Sequence, residues 1–160
     1  MGGRFTGEGD NMGKRRLDWE TRLNDHIRYS GLQKLDYVNF DCCIFICGAV
    51  EALTGYNPYP DFPYPYKGKR EALKAIRQYC IDNKVKEYSI RPIVQIMGTE
   101  AGGEIVEGFP MRGDIITIES GGQVLGGVCI GDRAVVITEK SGLRPVRIEQ
   151  LIILDILRFT

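Results

Sequence analysis

Asp41-Cys42 is the pair of residues in this chain best placed for chemistry. A cysteine that opens an apolar helix faces the positive end of the helix dipole, which lowers a thiol pKa and favours the nucleophilic thiolate. The plainer alternative is that Cys42, Cys43 and Cys47 are small hydrophobes in a core helix, the commonest use of a free cysteine. Nucleophilic chemistry also needs a base. The chain has one histidine, His26, beside Asn24 and Asp25 on what the spacing predicts is the polar side of an earlier helix. One histidine and three clustered cysteines do not make a tetrahedral zinc site, so neither metal nor cofactor is expected. The glycine-rich run Gly121 to Gly127 lacks the Lys-Ser/Thr ending of a phosphate loop and reads as a hairpin. Arg112 to Asp114 reads as a polar turn leading into a strand, and Glu100, Glu104, Glu107 and Asp114 are too scattered for a paired-carboxylate site.

The elements that must carry these residues follow from periodicity. Residues 1–16 are rich in glycine and charge and are expected to form a flexible arm, its Gly13 to Arg16 run a solvated start of the domain; residues 17–160 form one domain. Asp18 can cap a first helix in which Trp19, Leu23 and Ile27 share a face, ending near Ser30-Gly31. Asn39 or Asp41 can cap a second, apolar on all sides and closed by Thr54-Gly55, which belongs in the core. Tyr56 to Gly68, with four prolines and five aromatic rings, is expected as an extended surface loop, its rings packing on the domain or on a neighbour. Helical spacing resumes over Lys69 to Cys80 through Leu73, Ile76 and Cys80. Ser89 and Pro92 open a further helix that Gly98 ends. Beyond Arg112 the pattern changes to five short β-rich runs separated by glycine turns, an antiparallel meander, with one helical turn at Ile148 to Leu151. The fold class is therefore α+β, N-terminal helices on an antiparallel sheet of about five strands.

Lysine plus arginine and aspartate plus glutamate both number 21. No global field draws the chain toward nucleic acid or anionic lipid, and no apolar run approaches a membrane span or signal peptide. Synthesis in a cytoplasm follows. Five cysteines, three of them within six residues, are poor material for a disulfide framework.

The order of these parts resembles a known family. Asp-Cys opening a buried helix, then RGDIITI, then the GGVCIGDRAVVIT hairpin is similar to the NlpC-type papain-like cysteine peptidases that cut cell-wall peptides. It resembles more closely a family of small phage proteins related to them and encoded among tail genes. LDWETRL at Leu17 to Leu23 and DCCIFICGAVEALTG from Asp41 match that family's patterns. The resemblance implies a papain-like domain, with Cys42 in the nucleophile position. The catalytic histidine of the peptidases maps onto Leu125, and the third polar residue falls among Val136, Ile137 and Thr138, of which only the threonine is polar. Without an imidazole neither thiol deprotonation nor leaving-group protonation is supplied.

The function this implies is a structural part of a phage tail tip or baseplate, made in the bacterial host and carried in the virion. Other tail-tip or baseplate proteins would be its partners, and Tyr56, Tyr59, Phe62, Tyr64 and Tyr66 the aromatic interface candidates. Two alternatives stand beside it. One is an active cysteine peptidase or hydrolase acting on cell-wall peptides during phage DNA entry, with His26 or a partner's histidine as base. The other is a non-catalytic module that binds peptidoglycan.

Overall fold

The computed structural model of the chain describes residues 13–36, 41–138 and 140–160. Four helices precede a six-stranded antiparallel sheet. The helices are α1 (Trp19–Ser30), α2 (Cys42–Thr54), α3 (Lys69–Asp82) and α4 (Ile90–Glu100). The strands are β1 (Glu104–Val106), β2 (Ile115–Ser120), β3 (Gln123–Cys129), β4 (Arg133–Thr138), β5 (Gly142–Arg147) and β6 (Ile152–Arg158), in the order β1-β6-β2-β3-β4-β5. The strand beyond the expected five is β1, three residues between glycines, too short to display an alternating pattern. Among the described residues no helix is long and apolar enough to cross a membrane.

Local chemistry explains the boundaries. Asp41 accepts a hydrogen bond from the Ile44 amide at 2.9 Å, and Gly55 ends α2 in the left-handed region at φ 87°. Ser89 caps α4 in the same way through the Arg91 amide. Asn39, the other candidate cap for α2, lies outside the described residues. Asp18 departs from expectation: its carboxylate takes the Arg22 guanidinium at 2.8 Å and caps no amide of α1. On α3 the buried face is Ala72, Ala75, Tyr79 and Cys80, while Leu73 stands in solvent. α4 runs past Gly98, which lies where any β-carbon would stand 2.4 Å from the Leu157 side chain. Between β2 and β3 the two-residue turn Gly121-Gly122 has both φ values positive, 58° and 81°, the geometry that matches strand twist and that side-chain-bearing residues resist.

The sheet has a core on each face. On the helix face Phe45, Ala49 and Leu53 of α2 pack with Leu23 of α1 and with Ile115, Val128, Val135, Ile137 and Leu157 of the sheet. On the far face Ile116, Ile118, Ala134, Val136 and Ile156 form a second cluster, against which Ile148 and Leu151 of the β5–β6 connection pack. A smaller cluster joins Tyr66 to Ala72 and Ala75 of α3, with Phe62 and Tyr64 against it. This last cluster settles where the aromatic loop goes. Phe62 stacks on Tyr79 with centroids 5.4 Å apart and meets Tyr64 and Tyr66 edge-on. Phe62, Tyr64 and Tyr66 thus pack on the domain itself.

Candidate functional site

The candidate site is the amino-terminal end of α2, built from Asp41 and the three thiols. Asp41 is 2% exposed. One carboxylate oxygen caps the helix, and the other accepts a hydrogen bond from the Tyr66 hydroxyl, itself linked to the Tyr59 hydroxyl. Burial raises the Asp41 pKa, while the Tyr66 and amide hydrogen bonds pull the other way. The Tyr59–Tyr66–Asp41 chain ties the aromatic loop over the start of α2. Pro58 of that loop closes a small apolar cavity of about 50 Å³ that also touches Cys42, Cys43, Cys47, Ile93 and Met97. No local signal in the sequence pairs Tyr66 with Asp41; only the fold brings them together.

Cys43 and Cys47 are held in conditions that oppose ionisation. A hydrogen bond with the Cys42 thiol, then burial, push the Cys43 thiol well above its ordinary value. Burial, with the Asp41 charge behind it, pushes Cys47 up to about 12. The helix dipole that favours a thiolate at this end is thus countered at Cys43 and Cys47 by a carboxylate and by loss of solvent.

His26 does not reach this site. Its imidazole stacks on Phe45, centroids 5.2 Å apart, and its Nε2 is 2.9 Å from the Phe45 carbonyl oxygen. The ring fits because position 48 is glycine: a β-carbon there would stand 2.4 Å from it. The expectation of a solvated histidine on the polar face of α1 is therefore corrected to a half-buried one wedged against α2. At about 100° per residue, Phe45, Gly48 and Ala52 form one side of α2 and Ile46, Cys47 and Val50 another, with Cys42 about 60° from Phe45. His26 lines one hollow with Gly48 and Ala52, and the three thiols line another with Ile93 and Met97.

The strand positions are also placed differently from the sequence reading. Leu125 packs in the far-face cluster, behind the sheet from α2. The residue of β3 that faces the cysteine helix is its neighbour Gly126, where a β-carbon would meet the Ile46 side chain at 3.0 Å. Alternation puts Val128 on the same side, in the helix-face core. Ile137 is buried in that core too, and the Thr138 hydroxyl accepts a hydrogen bond from the Ser141 amide at 3.1 Å. Of the predicted positions, the fold brings Asp41 and Cys42 together and leaves Leu125 and Thr138 elsewhere. Tyr59 and Tyr66, read from the sequence as interface candidates, join the site through their hydroxyls.

Two further buried carboxylates organise the surroundings: Asp155, which carries no signal in the sequence, and Asp114, read there as part of a polar turn. Asp155 of β6 accepts hydrogen bonds from Arg91 Nε at 2.7 Å, Gln95 at 3.0 Å and the Thr117 hydroxyl at 2.6 Å, fixing α4 to the sheet. Asp114, fully buried, takes the Arg158 guanidinium at 2.7 Å and has Arg15 at 3.7 Å. Arg15 and Arg16 of the basic run are docked: their amides donate to the Thr160 and Leu53 carbonyls.

The profile of a family described as a domain of unknown function (DUF6950) matches residues 14–153, and the chain belongs to that family. No curated protein and no solved structure matches it significantly.

Proposed function

We propose that this protein is a catalytically silent relative of the NlpC-type papain-like cysteine peptidases, used as a structural part of a phage tail tip or baseplate. The observation that carries the first half is that Cys42 and the chain's one histidine line different hollows, Cys42 with Ile93 and Met97 and His26 with Gly48 and Ala52. Gly126, the β3 residue facing that helix, offers no side chain that could act as a base. A cysteine hydrolase needs nucleophile and base within hydrogen-bond reach, and here the thiols face a small cavity lined by apolar side chains. The second half is supported by the likeness of LDWETRL, DCCIFICGAVEALTG and RGDIITI to the tail-gene proteins.

Mass spectrometry of purified virions from a phage carrying this chain is expected to find it in the particle. Cys42→Ala is expected to leave particle assembly and infectivity unchanged. Absence from the virion would sink the structural role. Digestion of purified peptidoglycan that Cys42→Ala abolishes would establish the peptidase instead, and retention on peptidoglycan without digestion would identify a wall-binding module.

A further inference from the structure

A groove of about 560 Å³ runs between Arg15–Trp19, Met111 and the end of β6. Around it three large apolar side chains stand in solvent: Leu17 (107% exposed), Phe109 (87%) and Met111 (60%). Leu17 and Met111 line the groove, and the Phe109 carbonyl accepts a hydrogen bond from Arg158, which lines it too. Side chains of this size are not left clustered in water without a use as easily as single ones are.

The groove is also positively charged where the whole chain is neutral. Arg15 and Arg158 share one carboxylate, Asp114. Arg15 Nε is buried without a hydrogen-bond partner while its guanidinium lies over the Trp19 ring at 4.2 Å. Arg16 comes no closer than 3.8 Å to Asp18, which is held at 2.8 Å by Arg22. Cations therefore outnumber the carboxylates that neutralise them along this surface.

We propose that this groove docks a protein segment that carries an aromatic or aliphatic anchor flanked by carboxylates. The anchor would fill the apolar wall at Leu17 and Met111, and the carboxylates would take up Arg15 and Arg16. A concave site with guanidiniums lining it suits a peptide chain better than a flat bilayer. The site is remote in chemistry from the thiols and stands whether or not they are silent.

Fluorescence anisotropy with the full chain and short labelled peptides tests this. A peptide alternating phenylalanine and glutamate is expected to bind, with affinity falling as salt rises. Its lysine-for-glutamate and serine-for-phenylalanine counterparts are expected to bind at least about tenfold more weakly. The double variant Leu17→Ser/Met111→Ser is expected to lose about tenfold in affinity with its melting temperature unchanged, because both side chains are exposed. No binding of the acidic peptide, equal binding of the lysine peptide, or an unaffected double variant would overturn the proposal. So would preferential sedimentation with phosphatidylglycerol vesicles that the double variant abolishes, since the surface would then be a membrane contact.

Discussion

His26 and Asp41 are both half of a contact with α2, and burial moves their pKa values in opposite directions. Burial lowers that of His26, against the pull of the Phe45 carbonyl and the Glu51 charge. The folded protein then binds fewer protons than the unfolded one, so this part of stability is present above the ordinary histidine value of about 6.5 and is lost as pH falls below it. Urea unfolding is expected to give a smaller free energy at acid pH than at neutral pH, and His26→Gln to remove that part of the slope. For Asp41 the sign reverses. Its folded pKa is raised, so the ionised form is disfavoured at neutral pH and its contribution improves as pH falls through the folded value. Asp41→Asn keeps an N-cap acceptor and should change stability by no more than about 0.5 kcal/mol in denaturant titrations. Asp41→Ala loses the cap and orphans the Tyr66 hydroxyl, and should cost about 1–3 kcal/mol.

At the scale of elements, Asp155 joins α4 to β2 and β6. Burial works to raise its pKa, but the hydrogen bonds from Arg91, Thr117 and Gln95 prevail and hold it below the usual carboxylate value. That stabilisation is present above the ordinary value and is lost as pH falls through the folded one. Asp155→Ala leaves three donors without their acceptor. With Arg91 still 31% exposed and able to reach water, the expected loss is about 3 kcal/mol, at the low end for a broken buried pair, measured as a shift in the urea midpoint.

What was legible at this scale was what local residues decide. The cap and the left-handed glycine of α2, the Gly121-Gly122 hairpin and the five longer strands are each written within a few residues of where they act. His26 was misplaced because its position depends on an absent side chain at Gly48, on another helix. Leu125 was misplaced because a one-residue difference in reading a strand exchanges its two faces, and the adjacent Gly126-Gly127 gives no alternation to fix the register. The site was legible as far as Asp41-Cys42; its Tyr59–Tyr66 closure comes from a loop whose rings also read as interface anchors.

On the scale of the whole molecule, Asp114 ties the stretch before α1 to the end of β6 through Arg15 and Arg158. Asp114→Ala would leave two guanidiniums facing each other with no anion between them. A loss of about 3–4 kcal/mol is expected, seen as a lowered melting temperature, and Arg15→Ala added to it should cost less than it does alone, because the pair is coupled.

The sheet ends at β1 on one side and β5 on the other. β1 has three residues, and β5 carries Pro145 between Arg144 and Val146, with Arg147 after it. A proline withholds an N–H from any incoming chain, and arginines on an edge repel their own kind. Both borders are poor templates for an added strand, which disfavours joining of copies by sheet continuation into fibrils.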